Sequence, residues 1–319
     1  MHEDLNFDKI NLLKNDLTEF NHPRFQHEVA RIKKIKMKKK IIIIGNGFDL
    51  NLGLPTSYSH FLKSLYFDEL LEDGNQIANN LKNRSELENW VDVEVALKDY
   101  ADNINNLGSK ILSSFKEEYK ELAKQFLEYL KSIKYDKINK KSKAYNFITN
   151  NSVDKYNKTT DILIYNFNYT STVKNILANQ GWSSNDIAEK HIHVHGDLES
   201  NIIFGIQDDT KSTKFHTFIK KTTGEGFQRC DLPENLKKGY DIAIFGYSLG
   251  VSDEMYFKNP FNWLSQNENI SKLHMDLYYF GENSKDELDY RMDQLTNSNL
   301  ADFLQSVFLE KIDISKLTK

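Results

Sequence analysis

A run of four isoleucines, Ile41-Ile42-Ile43-Ile44, closed by Gly45, constrains the fold more than any other feature of the chain. Consecutive β-branched apolar residues with no polar face read as a strand buried on both sides of a parallel sheet. The segment that follows is Gly45-Asn46-Gly47-Phe48-Asp49-Leu50-Asn51-Leu52-Gly53-Leu54-Pro55. Glycines directly after a buried strand let the backbone approach a diphosphate, and the next helix start presents free N–H groups to it. Gly45, Asn46, Gly47, Phe48 and Gly53 are therefore candidate nucleotide-binding positions, and a side chain at Gly47 is expected to intrude on the diphosphate. The spacing departs from G-x-G-x-x-G, because Gly53 comes six residues after Gly47. A phosphate cradle and a plain tight turn both remain open. A carboxylate repels phosphate, so Asp49 is expected to face a ribose hydroxyl or a water.

After Pro55 the pattern turns helical. Phe61, Leu62, Leu65 and Tyr66 recur at helical spacing, and Ser85 with Glu88 spells a capping box before Trp90. Ile111, Phe115, Tyr119, Leu122, Phe126 and Leu130 mark one long amphipathic helix. Strand-like runs resume at 161–165, 192–194, 202–204, 241–245 and 273–279, with helical patterns at 173–178 and 287–295. Strands alternating with helices predict an α/β fold, a doubly wound, Rossmann-like parallel sheet with a helical module inserted after the first strand. The expected division is an N-terminal extension (1–37), a core (38–57 and 158–319) and the inserted module (58–157). The first 40 residues end in the basic run Arg31–Lys40, and a chain starting at Met37 runs straight into the first strand. Such a run suits solvated, gatekeeping charge; a contact with nucleic acid or acidic lipid is the alternative.

Composition removes several classes. A single cysteine, Cys230, allows neither an internal disulfide nor a cysteine zinc set, which suits a reducing, cytoplasmic setting. No apolar run approaches the roughly 18 residues of a membrane span, so no membrane partner is expected. A net charge of −4 provides no general attraction for nucleic acid.

Three further stretches can carry chemistry. In Tyr165-Asn166-Phe167-Asn168-Tyr169-Thr170, at the C-terminal end of a strand, Asn166 and Asn168 share a face if the strand continues; as turn or cap residues they need no ligand. His191-Ile192-His193-Val194-His195-Gly196-Asp197 places three imidazoles in alternation, either a metal set or one catalytic histidine beside two structural ones. Phe245-Gly246-Tyr247-Ser248-Leu249-Gly250-Val251-Ser252-Asp253 ends another strand in glycine. Gly246, Tyr247, Ser248 and Asp253 are candidates for a second nucleotide-contacting loop, against a simple strand-to-helix turn with Ser252 as cap.

The order of these motifs resembles that of sirtuin-like proteins. Gly45-Asn46-Gly47-Phe48-Asp49 through Gly53-Leu54-Pro55 is similar in type and spacing to G-A-G-I-S-x-x-x-G-I-P, and Asn166-Phe167-Asn168-Tyr169 stands where they carry T-T-N-Y-D. His195-Gly196 matches their catalytic H-G, and Gly246-Tyr247-Ser248 their later G-Y-S loop. A closer resemblance is to the AbiH family, bacterial proteins that block phage multiplication by abortive infection. It rests on G-N-G-F-D with L-P-T-S-Y, Trp90-Val91-Asp92-Val93-Glu94, N-F-N-Y-T and H-V-H-G, and runs from about Lys38 to Glu282. Pro55-Thr56-Ser57-Tyr58 replaces the sirtuin P-D-F-R, Thr170 replaces an aspartate, and no four-cysteine module follows His195. The resemblance thus implies cleavage of a nucleotide rather than deacylation of a protein.

What it implies is an antiviral NAD hydrolase that releases nicotinamide, with Asn168, His195 and Asp49 as catalytic residues, NAD as substrate and no metal. Cleavage of the ribosyl bond develops oxocarbenium character. Asn168 orients water or ribose, His195 acts as general base, and Asp49 adds electrostatic stabilisation. A nucleotide, a phage-derived trigger and a second copy of the chain are the expected partners. The alternatives are a metal-dependent phosphodiesterase on His191, His193 and His195, with Asp197 a candidate fourth ligand, and a nucleotide-binding sensor without catalysis.

Overall fold

The computed structural model describes residues 39–87, 93–104, 109–152, 162–200, 202, 204–206, 214–223, 227, 229–266 and 272–316. The N-terminal extension and Trp90-Val91-Asp92 lie outside the described residues. Six strands form one parallel sheet: β1 (Lys40–Ile44), β2 (Ile162–Asn166), β3 (His191–His193), β4 (Asp241–Phe245), β5 (Leu273–Tyr279) and β6 (Val307–Asp313), in the order β3-β2-β1-β4-β5-β6. The chain runs outward from the central β1 to β3, then crosses to the other side of β1 for β4 to β6. Ile44 is level with Asn166 and Phe245, and Asn166 with His193, so four strands end in one row.

All four isoleucines of β1 are fully buried. Ile41 and Ile43 enter one core and Ile42 and Ile44 another, as period-two alternation requires of a strand covered on both faces. Burial of each isoleucine contributes roughly 1.5–3 kcal/mol relative to exposure. On the first face lie α11 (Leu232–Leu236), α12 (Glu254–Gln266), α13 (Gly281–Leu295) and α14 (Leu300–Ser306). The second is covered by α1 (Asn46–Asn51), α7 (Lys143–Ser152), α8 (Thr172–Asn179) and α9 (Ser184–Lys190).

Between α1 and α7 the described elements are all helical: α2 (Tyr58–Phe61), α3 (Leu65–Glu72), α4 (Gln76–Leu87), α5 (Val93–Ile104), α6 (Ser109–Ser132) and a 3-10 turn at Tyr135–Lys137. They build a third core around Phe61, Phe67, Phe115 and Phe126. That core does not close on these helices alone. It takes in Tyr169, Phe204, Ile206 and, from α10 (Lys214–Ile219), Phe215 and Ile219. Residues Lys39–Lys319 form one compact unit.

Local expectations fared unevenly. Ser85 does not cap a helix start: it lies in the last turn of α4, its hydroxyl donating to the Lys82 carbonyl at 2.7 Å. The run at 202–204 gives no strand at its described positions. Phe204 instead packs its ring near Tyr58, Tyr119 and Phe126, and only Ile206 makes an isolated bridge, to Lys220. A three-residue apolar run signals burial without specifying the backbone that achieves it. β6 has no strand signature in the sequence, because an edge strand mixes exposed Phe308 and Glu310 with buried Val307. No helix among the described residues is long and apolar enough to cross a membrane.

Candidate functional site

The candidate residues gather along the row where β1, β2, β3 and β4 end. Gly45 closes β1 and Gly246 closes β4, and the two glycine loops pack backbone to backbone. The Gly47 amide donates to the Gly246 carbonyl at 2.8 Å. A Cβ on Gly47 falls 2.7 Å from Gly246 Cα, and one on Gly246, whose φ is +60°, falls 2.5 Å from the Gly47 carbonyl carbon. A side chain at Gly47 therefore meets protein backbone before any ligand, which changes the expectation for its replacement. Gly246→Ala should lower unfolding stability by about 2–4 kcal/mol, from positive-φ strain plus overpacking. A denaturant melt close to wild type would show that the loops separate freely. Gly53 serves another purpose: with φ +88° and nothing near its Cβ position, it turns the chain after α1.

The other loop residues are largely committed within the fold. Asn46 Oδ1 accepts from the Thr56 hydroxyl at 2.6 Å, and Phe48 is buried edge-on against Phe245. Asp49 does not face an open ribose position. Its two carboxylate oxygens accept from the Thr170 and Thr172 hydroxyls, each at 2.6 Å, and it is fully buried. Burial raises its pKa to about 6, against the lowering effect of those hydroxyls.

Asn166 and Asn168 work as braces at the end of β2. Asn166 Oδ1 accepts from the Asn168 amide at 3.0 Å, and Asn168 Nδ2 donates to the Gly45 carbonyl at 3.1 Å, tying the β2 end to the first glycine loop. The histidines take separate partners. His191 Nε2 lies 3.4 Å from Asn166 Nδ2, His193 Nδ1 lies 3.0 Å from the Asn168 carbonyl, and His195 Nε2 lies 2.9 Å from Asp253 Oδ1. Burial drives the pKa of both His191 and His193 below the ordinary imidazole value. Among the described residues no group of three or more His, Cys, Asp or Glu is arranged to hold a metal ion.

His195 belongs to a buried charge cluster that sequence reasoning reached only in part. Asp253, in a 3-10 turn at Val251–Asp253, receives Lys221 Nζ on Oδ1 at 2.8 Å and the Tyr247 hydroxyl on Oδ2 at 2.8 Å. Lys221 Nζ also meets Glu94 Oε2 at 2.9 Å. Lys221 is 1% exposed, His195 5%, and Asp253 and Glu94 6% each. Burial by itself raises the Asp253 pKa, but His195 and Lys221 outweigh it and hold that carboxyl far below the usual range. For Lys221, burial lowers the pKa and the two carboxylates outweigh it, keeping the ammonium charged. Glu94 comes from α5, Lys221 from the turn after α10, Asp253 from beyond β4 and His195 from beyond β3. Nothing in the spacing around Lys221 announces it. Glu94 was visible only as part of Trp90–Glu94. The Phe167 ring joins cluster to row, with its centroid 4.4 Å from that of Tyr247 and 5.2 Å, perpendicular, from that of His195. Of the candidate nucleotide-loop residues, Asp253 thus turns toward His195 and Tyr247 toward Asp253. Ser248 is exposed on the same loop.

The next residue, Leu249, is buried with φ +54°, a strained conformation for a branched side chain. Its carbonyl accepts from Nε of the buried Arg291 at 2.9 Å. Buried, paired charges beside a strained loop at the C-terminal edge of a parallel sheet are the physical marks of a site. Comparison with known proteins bears on the family resemblance. No curated protein and no solved structure matches the chain. A model of the family described as bacteriophage abortive infection AbiH matches residues 41–273, well over half of the chain. The protein belongs to the AbiH family, and a role in phage abortive-infection defence follows from that membership.

Proposed function

We propose that this AbiH protein acts in phage defence as a hydrolase of NAD, cleaving the ribosyl–nicotinamide bond. The observation that carries the proposal is the meeting of Asn168, His195 with its charge cluster, and two glycine loops along one sheet edge. Strand order 3-2-1-4-5-6 with both faces covered supports a doubly wound reading of the sheet, in which a dinucleotide lies in the crevice where the order reverses. Here the reversal falls between β1 and β4, the strands that carry the glycine loops. The sirtuin-like motif order supports the same reading.

In this mechanism Asp253 holds the His195 ring by Nε2, and Nδ1 accepts a proton from water or a ribose hydroxyl. Asn168 fixes the loop facing the ribose through its bond to Gly45 and orients the water. Asp49 is the positioning group of the Thr170–Thr172 turn, its negative charge favouring the developing oxocarbenium ion. The test is incubation of the purified full-length protein with NAD and related nucleotides, with product identification. Nicotinamide and ADP-ribose are the expected products. Intact NAD both in this assay and in phage-infected cells expressing the protein would sink the hydrolase reading.

A further inference from the structure

The Lys221–Glu94 pair has no part in the mechanism above, and its geometry is specific. Two buried carboxylates share one buried ammonium, and the ammonium and His195 Nε2 approach the same oxygen, Asp253 Oδ1, at 2.8 and 2.9 Å. A lone aspartate against a buried imidazole orients the ring but also favours its protonated form, which cannot act as a base. A cation on the same oxygen offsets that second effect and leaves the first.

We propose that Lys221, clamped by Glu94, is a positioning residue for His195: it shares Asp253 Oδ1 with the imidazole and offsets the charge of that carboxylate, which is left to orient the ring. The proposal rests on the reading of His195 as the proton-accepting group. Asp253, Lys221 and Glu94 are the charged groups of this cluster. The titratable side chains packed around it are Tyr247 on Asp253, Tyr169 and Tyr256 with ring centroids 6.3 and 6.4 Å from that of His195, and Tyr119, which feels the charges of both Glu94 and Lys221. Burial raises the pKa of Tyr169, with Glu94 adding to it, and that of Tyr247, with Asp253 adding to it. Glu94 lies on α5, so the compensation of Asp253 depends on a helix outside the sheet.

The experiment needs no substrate. The His195 imidazole, assigned by comparison with His195→Gln, is titrated by NMR in wild type, Lys221→Met, Lys221→Arg and Glu94→Gln. Loss of the ammonium should move the midpoint up by about one pH unit or more, and loss of the Glu94 charge should move it down. Lys221→Arg, which keeps the charge, should stay near wild type. A merely structural pair would change melting temperatures without moving the midpoint in opposite directions. The proposal is overturned if the midpoint stays put in both charge-removing variants. Should Lys221→Met fail to fold, the isosteric Glu94→Gln decides alone, and no downward movement counts against the proposal. A parallel pH–rate profile for NAD loss separates the two ideas. A wild type that leaves NAD intact defeats the hydrolase reading, while the NMR result still decides on Lys221.

Discussion

Replacement of His195 by alanine is expected to abolish NAD loss and phage protection while the cooperative melt survives. One positioned acid–base group is typically worth about 10²–10⁴-fold in rate, and of the three alternating histidines His195 is the one whose Nε2 lies 2.9 Å from a carboxylate oxygen. Asn168→Ala should have an effect of similar size on turnover. It should also cost about 1 kcal/mol of stability, because Asn168 Nδ2 bonds the Gly45 carbonyl across the β1–β2 junction. His191→Ala should be much milder for chemistry: that ring is buried against Asn166 and points to no member of the charge cluster. Melting curves on each variant keep lost activity from being mistaken for lost structure. Full turnover in His195→Ala combined with its loss in His191→Ala or His193→Ala would show the residue assignment to be wrong.

Asp49→Asn is expected to stabilise the protein at neutral pH while harming function. A rise of the Asp49 pKa from 3.8 to about 6 on folding corresponds to a penalty of about 3 kcal/mol on the ionised form. Below pH 3.8 the carboxyl is protonated in both states and the penalty is absent. Between 3.8 and about 6 the folded protein keeps a proton that the unfolded chain has released, so this contribution to stability falls as pH rises. Above about 6 the full penalty persists. The amide carries no charge, so Asp49→Asn should exceed wild type by up to about 3 kcal/mol near pH 7.5 and lose that advantage toward pH 4. Denaturant melts at a series of pH values measure this directly. A difference that stays constant with pH would mean that Asp49 does not titrate in this window. Reduced turnover in the more stable variant would place the charge of Asp49 in the service of function, the usual trade-off at a strained site.

Part of this architecture was legible in the chain because the signals are local. Ile41–Ile44 can only be buried on both faces, so a parallel sheet followed from it. The α6 stripe from Ile111 to Leu130 spells its own helix. The family resemblance rested on short fragments whose order along the chain is itself a sequence property. The misjudged positions share one physical cause. Ser85, Phe204 and the residues of β6 take their structure from what packs against them, and a local pattern carries no record of that. The site divides in the same way. Asn168 and His195 stand out because they flank strand ends, where a parallel sheet exposes its C-terminal edge. Asp253 reads as a loop residue in the sequence, and only the fold turns it onto His195. Lys221 was invisible: a lysine between Lys220 and Thr222 reads as surface until residues more than a hundred positions apart enclose it. Ionic clusters of that kind are set by desolvation and by distances of about 3 Å, quantities that exist only after the chain has folded. Short motifs along the sequence were sufficient to place the protein in its family. Which groups hold charge beside His195, and that the glycine loops press on each other, was decided by tertiary packing alone.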